Sequence, residues 1–520
     1  MNVGHVVVVT LVLLISSFSG CMFLPHTKFS LLSLVVDDDE GFPRLVVRFN
    51  TSDTTTLTLL DPTGQPLFSD VYYNGIYNET MYLSGYRKNP SKGTYNLRAY
   101  DASKNIIFQK ELAFKGQNLS MAQVQDDWWQ NTTSSMLVAL HVTFHNSGDL
   151  PSYPYKVEVQ LGDATSEAVL VPTVILPYQN KSVACFVPLG PLSSGDRMLS
   201  ISVSDKEGIR LTRTTHVISS SHPVPSWEFS WGFLGGHTLR LPSVEWFYDY
   251  YKRLGRFDIS DYAAYVFDSY DDTYIDFTAK QLLSLTHGKS DVEKISFIAS
   301  FVQNIPYMED DPNNESYEYP RYPIETLKEQ RGDCEDKAIL GAALLASIGY
   351  NVSLLRLPRH MAVGVHLDNV SGAYNYYVDQ YYFMEMTAAN SPFGKVPPEY
   401  QGLSNATVYP ISLRPLLVQS WMNATRYKTS TGVDYIKIKM LVKNLGSTSA
   451  SSYEIRGAFY DETNYSYNEN IVSGSFIDKE DQQIIDLQVT IPKGVSTVLI
   501  TKIYLDGIMV HERESSSHFP

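Results

Sequence analysis

Cysteine is nearly absent, with three residues in 520, at positions 21, 185 and 334. So few thiols exclude a disulfide framework, and apolar cores must hold the chain together. A chain of this length exceeds one ordinary core, so three or four domains are expected. Clusters of Lys and Arg dense enough to neutralise phosphates are missing, and the net charge is −15, so nucleic acid is not an expected partner. Charged residues make up 19% and hydrophobic residues 43%, a balance that excludes wholesale disorder. Beyond the N-terminus no run of about 18 apolar residues recurs, so nothing later should span a bilayer.

The one long apolar run, Val6 to Cys21 ("VVVVTLVLLISSFSGC"), is short for a membrane span and reads as a secretory leader. Phe18-Ser19-Gly20-Cys21 resembles a lipobox, which implies lipidation of Cys21; an uncleaved anchor is the other reading. Either places the chain on the extracellular face of the membrane. Eleven Asn-x-Ser/Thr triplets point the same way: Asn50, Asn78, Asn118, Asn131, Asn180, Asn314, Asn351, Asn369, Asn405, Asn423 and Asn464. Chance would place about four, so a glycosylated exported protein is expected, and with a lipobox an archaeal one.

Segments 28–116, 117–222 and 412–520 carry alternating or continuous apolar runs broken by turn signals, such as "RLVVRFN", "YKVEVQLG" and "KMLVKNLG". Each reads as an Ig-like β-sandwich. The second and third share a layout of strand, Asn-x-Gly turn, polar loop and strand, with Asn146-Ser147-Gly148 matching Asn444-Leu445-Gly446. They resemble CARDB-type adhesion modules. Segment 223–411 differs: "DFTAKQLLSLTHG" and "DVEKISFIASFVQNI" have helical spacing, and short strands follow. The expected fold class is therefore multidomain, an α+β papain/transglutaminase-like centre flanked by all-β sandwiches, with residues 1–21 as leader.

The chemistry concentrates in that middle segment. Gly332-Asp333 makes a turn and an N-cap, which puts Cys334 in the first turn of a helix ending near Gly349. Unpaired N–H groups and the positive dipole end there favour a thiolate, while Glu335 and Asp336 oppose it, so a cationic partner is needed. "HMAVGVHL" supplies one: on an extended strand His360, Ala362, Gly364 and His366 share a face, and the small residues would let a helix approach. Glu385, among Phe383, Met384 and Met386, is the carboxylate that would orient the imidazole, with Asp379 as fallback.

"GDCEDKAILGAALLASIGYNV", "HMAVGV" and "YYFMEMT" in this order resemble the transglutaminase-like superfamily. The resemblance implies Cys334 as nucleophile, His360 as base and Glu385 in place of the family's Asp, with Gln303 a candidate oxyanion donor by analogy with papain-like enzymes. It implies thiol acyl transfer to water or to an amine, with an extracellular protein or peptide as substrate and no cofactor. A surface adhesion or scaffold protein with an inactive cysteine domain is the alternative. Cys185 reads as core and His366 as a strand-end surface residue. Trp227, Trp231 and Trp246 read as a core wall. Asp333, Glu335 and Asp336 read as a solvated helix start, not a calcium loop, and a zinc site at Cys334, His360 and His366 is unnecessary to explain these residues, so no metal is expected.

Overall fold

The strand Phe42–Thr51 shows how the alternation works: Leu45, Val47 and Phe49 are buried while Arg48 and Asn50 face out. In the computed structural model, which describes residues 28–130, 135–190, 198–219, 222–310, 319–368, 370, 375–402, 406–428 and 432–519, such strands dominate. Cys21 and the leader lie outside these residues, as do Asn131, Asn314, Asn369 and Asn405. Among the described residues no helix is long and apolar enough to cross a membrane.

The chain divides into two compact units, one of residues up to Asp127 with Ala139–Ser221, the other of Trp128–Val138 with His222–Pro520. In the first, a sheet of Phe29–Asp39, Phe42–Thr51 and Gly75–Tyr82 and a sheet of Pro66–Tyr72, Thr55–Leu60, Gly93–Asp101 and Ile106–Phe114 share a core built on Leu45, Phe49, Leu57, Leu59 and Leu97. In the second, the C-terminal sheets built around Asp434–Asn444 and Tyr453–Tyr460 enclose Ile438, Met440, Ile455 and Leu487.

The Asn-x-Gly turns are equivalent in detail. Asn146 Oδ1 accepts from Asn118 N and Gly148 N, and its amide donates to Leu150 O and Ile175 O. Asn444 Oδ1 accepts from Leu416 N and Gly446 N, and its amide donates to Thr448 O and Ile477 O. A Cβ on Gly148 would sit 2.2 Å from Gly116 O and one on Gly446 2.3 Å from Arg414 O, so both positions exclude any side chain.

The expected fold class is overturned. About 50% of the chain is strand and about 14% helix, spread over many separate small sheets, so the protein is largely all-β and has no α+β papain-like core. The helical spacing of "DFTAKQLLSLTHG" and "DVEKISFIASFVQNI" and the helix start at Cys334 each correspond to a helix, yet the five helices among the described residues are few beside the strands. They are α1 (Glu245–Arg253), α2 (Asp272–Ser284), α3 (Asp291–Gln303), α4 (Pro323–Glu329) and α5 (Cys334–Ser347). The accompanying sheet is antiparallel, in the order Tyr382–Met384, His360–His366, Asn351–Leu357, Thr407–Pro410. Helix α5 packs against α2, α3 and α4 and against two of these strands, so it is buried on nearly every side. Trp227 and Trp231 are buried, Trp231 donating to Ser300 Oγ, and Trp246 is half-buried.

Asp271, 2% exposed at the start of α2, carries a further consequence. Burial, then the charges of Asp268 and Asp272, push its carboxyl well above the usual range, and burial raises Asp268 to about 7. A raised carboxyl is protonated in the folded state, so its stabilisation is complete below about pH 3.9 and is lost as pH rises through the folded value. The second unit should therefore unfold at a lower temperature at pH 8 than at pH 5, and Asp271→Asn should flatten that dependence. Identical slopes in the two proteins by scanning calorimetry would refute it.

Candidate functional site

Helix α5 begins where Asp333 accepts Asp336 N and the Asp336 side chain reaches back to Asp333 N, a reciprocal cap. Gly332 is required beside it, because a Cβ there would lie 2.9 Å from Asp336 Oδ2. Gly332 also exchanges backbone hydrogen bonds with Pro306 O and Met308 N, which stitches the turn to the segment after α3. Cys334 is thereby held at the helix start, half-buried, on the wall of a cleft of about 570 Å³ that His360 and Met361 also line.

The expected solvated helix start is corrected: Asp333, Glu335 and Asp336 are 7, 5 and 0% exposed. Asp336 is buried because Arg321 meets it with both guanidinium and backbone N–H, and Arg321 continues to Asp310 and Glu329. Burial, then Glu335, raises Asp333 to about 8. Asp310, Asp333 and Glu335 each bring a carboxylate oxygen within 4.8 Å of the others, close enough to share a cation.

The thiol of Cys334 donates to Glu335 Oε2 at 3.1 Å, not to His360. Burial, then Glu335 and Asp333, push its pKa far up, and the Met361 backbone N–H pulls the other way. His360 Nε2 instead meets Glu385 Oε2 at 2.9 Å, with Glu385 3% exposed. The other Glu385 oxygen accepts from Met386 N, Thr387 N and Thr387 Oγ1. Burial opposes its ionisation, but His360 and Thr387 hold its pKa at about 2. The carboxylate is fully satisfied, which is how a charge can sit among Phe383, Met384 and Met386.

Of the remaining expected residues, Gln303 faces away from catalysis. It is buried, and its amide donates to Glu385 O at 2.9 Å and Ser391 O at 3.0 Å, so it holds backbone instead of an oxyanion. Asp379 is exposed in a tight turn with φ 46° and does not bond His360. His366 bonds Gln380 O at the far end of the strand. Cys185 is buried with Sγ 3.7 Å from Leu140 O, and burial raises its thiol to about 12. Ala362 and Gly364 do not admit the helix. Ala362 packs with Leu355, Leu357 and Phe383 beneath Tyr377 and Tyr400, and a Cβ on Gly364 would strike Tyr381 at 2.9 Å. The small residues make room for aromatic rings from later loops.

Three features were not anticipated. Tyr400 stacks on the His360 ring with centroids 5.2 Å apart and planes 6° apart. Lys337, fully buried, donates to Gln303 O, Ile305 O and Thr387 O, and burial lowers its pKa to about 8. Lys337 directly before the apolar run "AILGAALLA" was the available signal; Tyr400, 40 residues beyond His360, had none. Gly341, mid-helix, leaves room for the thioether of Met386, the residue after Glu385.

No family model and no curated protein matches the chain. Similarities among solved structures are faint. A protease candidate from Parabacteroides distasonis shares 9% identity, covering 70% of this chain and 94% of its own, at a TM-score of 0.19. A β-glucuronidase of glycoside hydrolase family 2 shares 9% over 93% and 75%, at 0.16. The BSP domain of a biofilm-associated protein shares 10% over 97% and 98%, at 0.13.

Proposed function

We propose that the protein is a thiol acyl-transfer enzyme of the extracellular face, with Cys334 as nucleophile, His360 as base and Glu385 as the residue that orients the base. The observation that carries this reading is the His360–Glu385 pair at 2.9 Å, with Cys334 and His360 lining the same cleft. A histidine with its proton on Nε2 donates to Glu385 and presents a lone pair at Nδ1. Rotation about the Cys334 Cα–Cβ bond swings Sγ from Glu335 toward that nitrogen. The thiol proton passes to His360 as sulfur attacks an amide carbonyl, and the Cys334 backbone N–H steadies the oxyanion. The C–N bond then breaks, the amine leaves with the proton from His360, and water cleaves the thioester to a carboxylic acid.

The order cysteine, histidine, carboxylate resembles the transglutaminase-like superfamily in motif alone. An extracellular peptide or a peptide-like wall component is the proposed substrate. Lipidation at Cys21 is the proposed anchor, and the seven described sequon asparagines are all exposed, which supports an exported, glycosylated chain. The thiol's bond to Glu335 favours a second reading, a non-catalytic surface protein. Acid quenching during turnover of a peptide thioester or activated amide separates them. The expected result is an acyl adduct on the Cys334 peptide by mass spectrometry. Equal labelling of wild type and Cys334→Ala by a thiol-directed warhead would sink the enzyme reading.

A further inference from the structure

The cleft that holds Cys334 and His360 is lined by both acidic and basic residues. The acidic ones are Glu309, Asp310, Asp333 and Glu335. The basic ones include Arg356 and Arg359, on the hairpin that delivers His360. Three of the four carboxylates are internally engaged, since Asp310 is bound to Arg321 and Tyr319 N, Asp333 caps α5 and Glu335 accepts the Cys334 thiol, while Glu309 is exposed. The arginines are not engaged. Both arginines are exposed, and neither forms an ion pair or hydrogen bond among the described residues. In a chain of net charge −15, with 56 acidic against 41 basic residues, two unengaged guanidiniums beside the candidate base are conspicuous.

Backbone geometry adds a second reason. Arg359 occupies the second turn position between the paired residues Leu357 and His360, after Pro358, with φ 56°. Glycine or asparagine would adopt that left-handed conformation with less strain, so the turn itself does not call for arginine. A strained non-glycine residue at a ligand-facing position is the pattern expected when the side chain is needed. The guanidinium fork suits a carboxylate, with two parallel N–H donors for its two oxygens.

We infer that the acyl donor is an acidic peptide whose carboxylate, beside the amide attacked by Cys334, is held by Arg356 and Arg359. This rests on the thiol acyl-transfer reading. The arginines act on substrate binding and take no part in the bond changes. A neutral or cationic neighbouring side chain leaves them without a partner and gains nothing from them.

The test uses three N-acetyl amino-acid chloromethyl ketones that differ only in the side chain, Glu, Gln or Lys, reacted with the full chain at low salt. Second-order rates of Cys334 alkylation are read by peptide mass spectrometry. The Glu probe should react about fivefold faster than the Gln probe, the gain a charge-assisted pair at a half-open site supplies. That ratio should fall toward one in about 0.5 M salt, and in Arg356→Gln/Arg359→Gln. The salt arm needs no variant, so the result stands even if the double variant fails to fold. A Gln probe as fast as the Glu probe in the native chain, with Cys334 labelled by both, overturns the carboxylate assignment alone. Absence of Cys334 labelling by any probe overturns the thiol reading, and this inference with it.

Discussion

Replacing Cys334 with alanine should abolish acyl-adduct formation, and replacing His360 with alanine should lower turnover by about 10³–10⁴-fold. The histidine effect is expected to be large because of where the thiol sits. Burial and two carboxylates keep Cys334 protonated near neutral pH, so the helix N-terminus alone does not supply a thiolate. In the proposed mechanism His360 is the group that takes the proton, while the resting thiol donates to Glu335. The loss should appear in kcat with little change in KM, since the role proposed for the imidazole is on the reacting atoms and not on distant substrate contacts. A steady-state comparison of wild type, Cys334→Ala and His360→Ala on one peptide substrate checks it. Retained turnover in either variant would remove these residues from the mechanism.

Glu385→Ala should be damaging twice over. The carboxylate serves four donors, from His360, Met386 N, Thr387 N and Thr387 Oγ1. Removing it leaves them buried and unmet, a loss of about 3–5 kcal/mol in unfolding free energy. Its pKa, held at about 2 against an unfolded value near 4.3, makes its stabilisation complete above the unfolded value and lost as pH falls toward 2. Urea unfolding at pH 7 and at pH 3 should therefore show the wild type losing stability at the lower pH, with that part of the loss missing from Glu385→Ala. Activity should fall as well, because the imidazole loses the partner that sets its tautomer and orientation. Glu385→Gln should retain more of the fold, since Oε1 can still accept from Thr387, but not the charge that stabilises an imidazolium. A variant that matches wild type in stability at both pH values would contradict the structural role. One that matches it in kcat would contradict the catalytic one.

Much of the candidate site was legible because it obeys short-range rules. Asp333 before an apolar run announces a capped helix start, and the reciprocal bonds of Asp333 and Asp336 are what such a cap forms. Alternation in "HMAVGVH" announces a strand, and Pro358-Arg359 announces the turn before it. The paired Asn-x-Gly turns were legible for the same reason, since Asn146 and Asn444 each make two of their bonds within four residues, to Gly148 and Leu150 and to Gly446 and Thr448. The fold class was not legible. Helical spacing in one segment says nothing about the far more numerous strands that surround it.

What the sequence determined by itself is local: where elements start and stop, which residues face alike on a strand, and the order of cysteine, histidine and carboxylate. Tertiary structure alone decided that Tyr377, Tyr381 and Tyr400 cover the small-residue face, that Gln303 supports Glu385 backbone, that Lys337 bridges three carbonyls, and that Glu335 holds the resting thiol. The physical reason is range. Caps and alternation depend on neighbours within a few residues and are written in adjacent letters. Burial and hydrogen-bond partnership depend on segments far apart in the chain, 82 residues from Gln303 to Glu385 and 88 to Ser391, which meet only when the chain has folded.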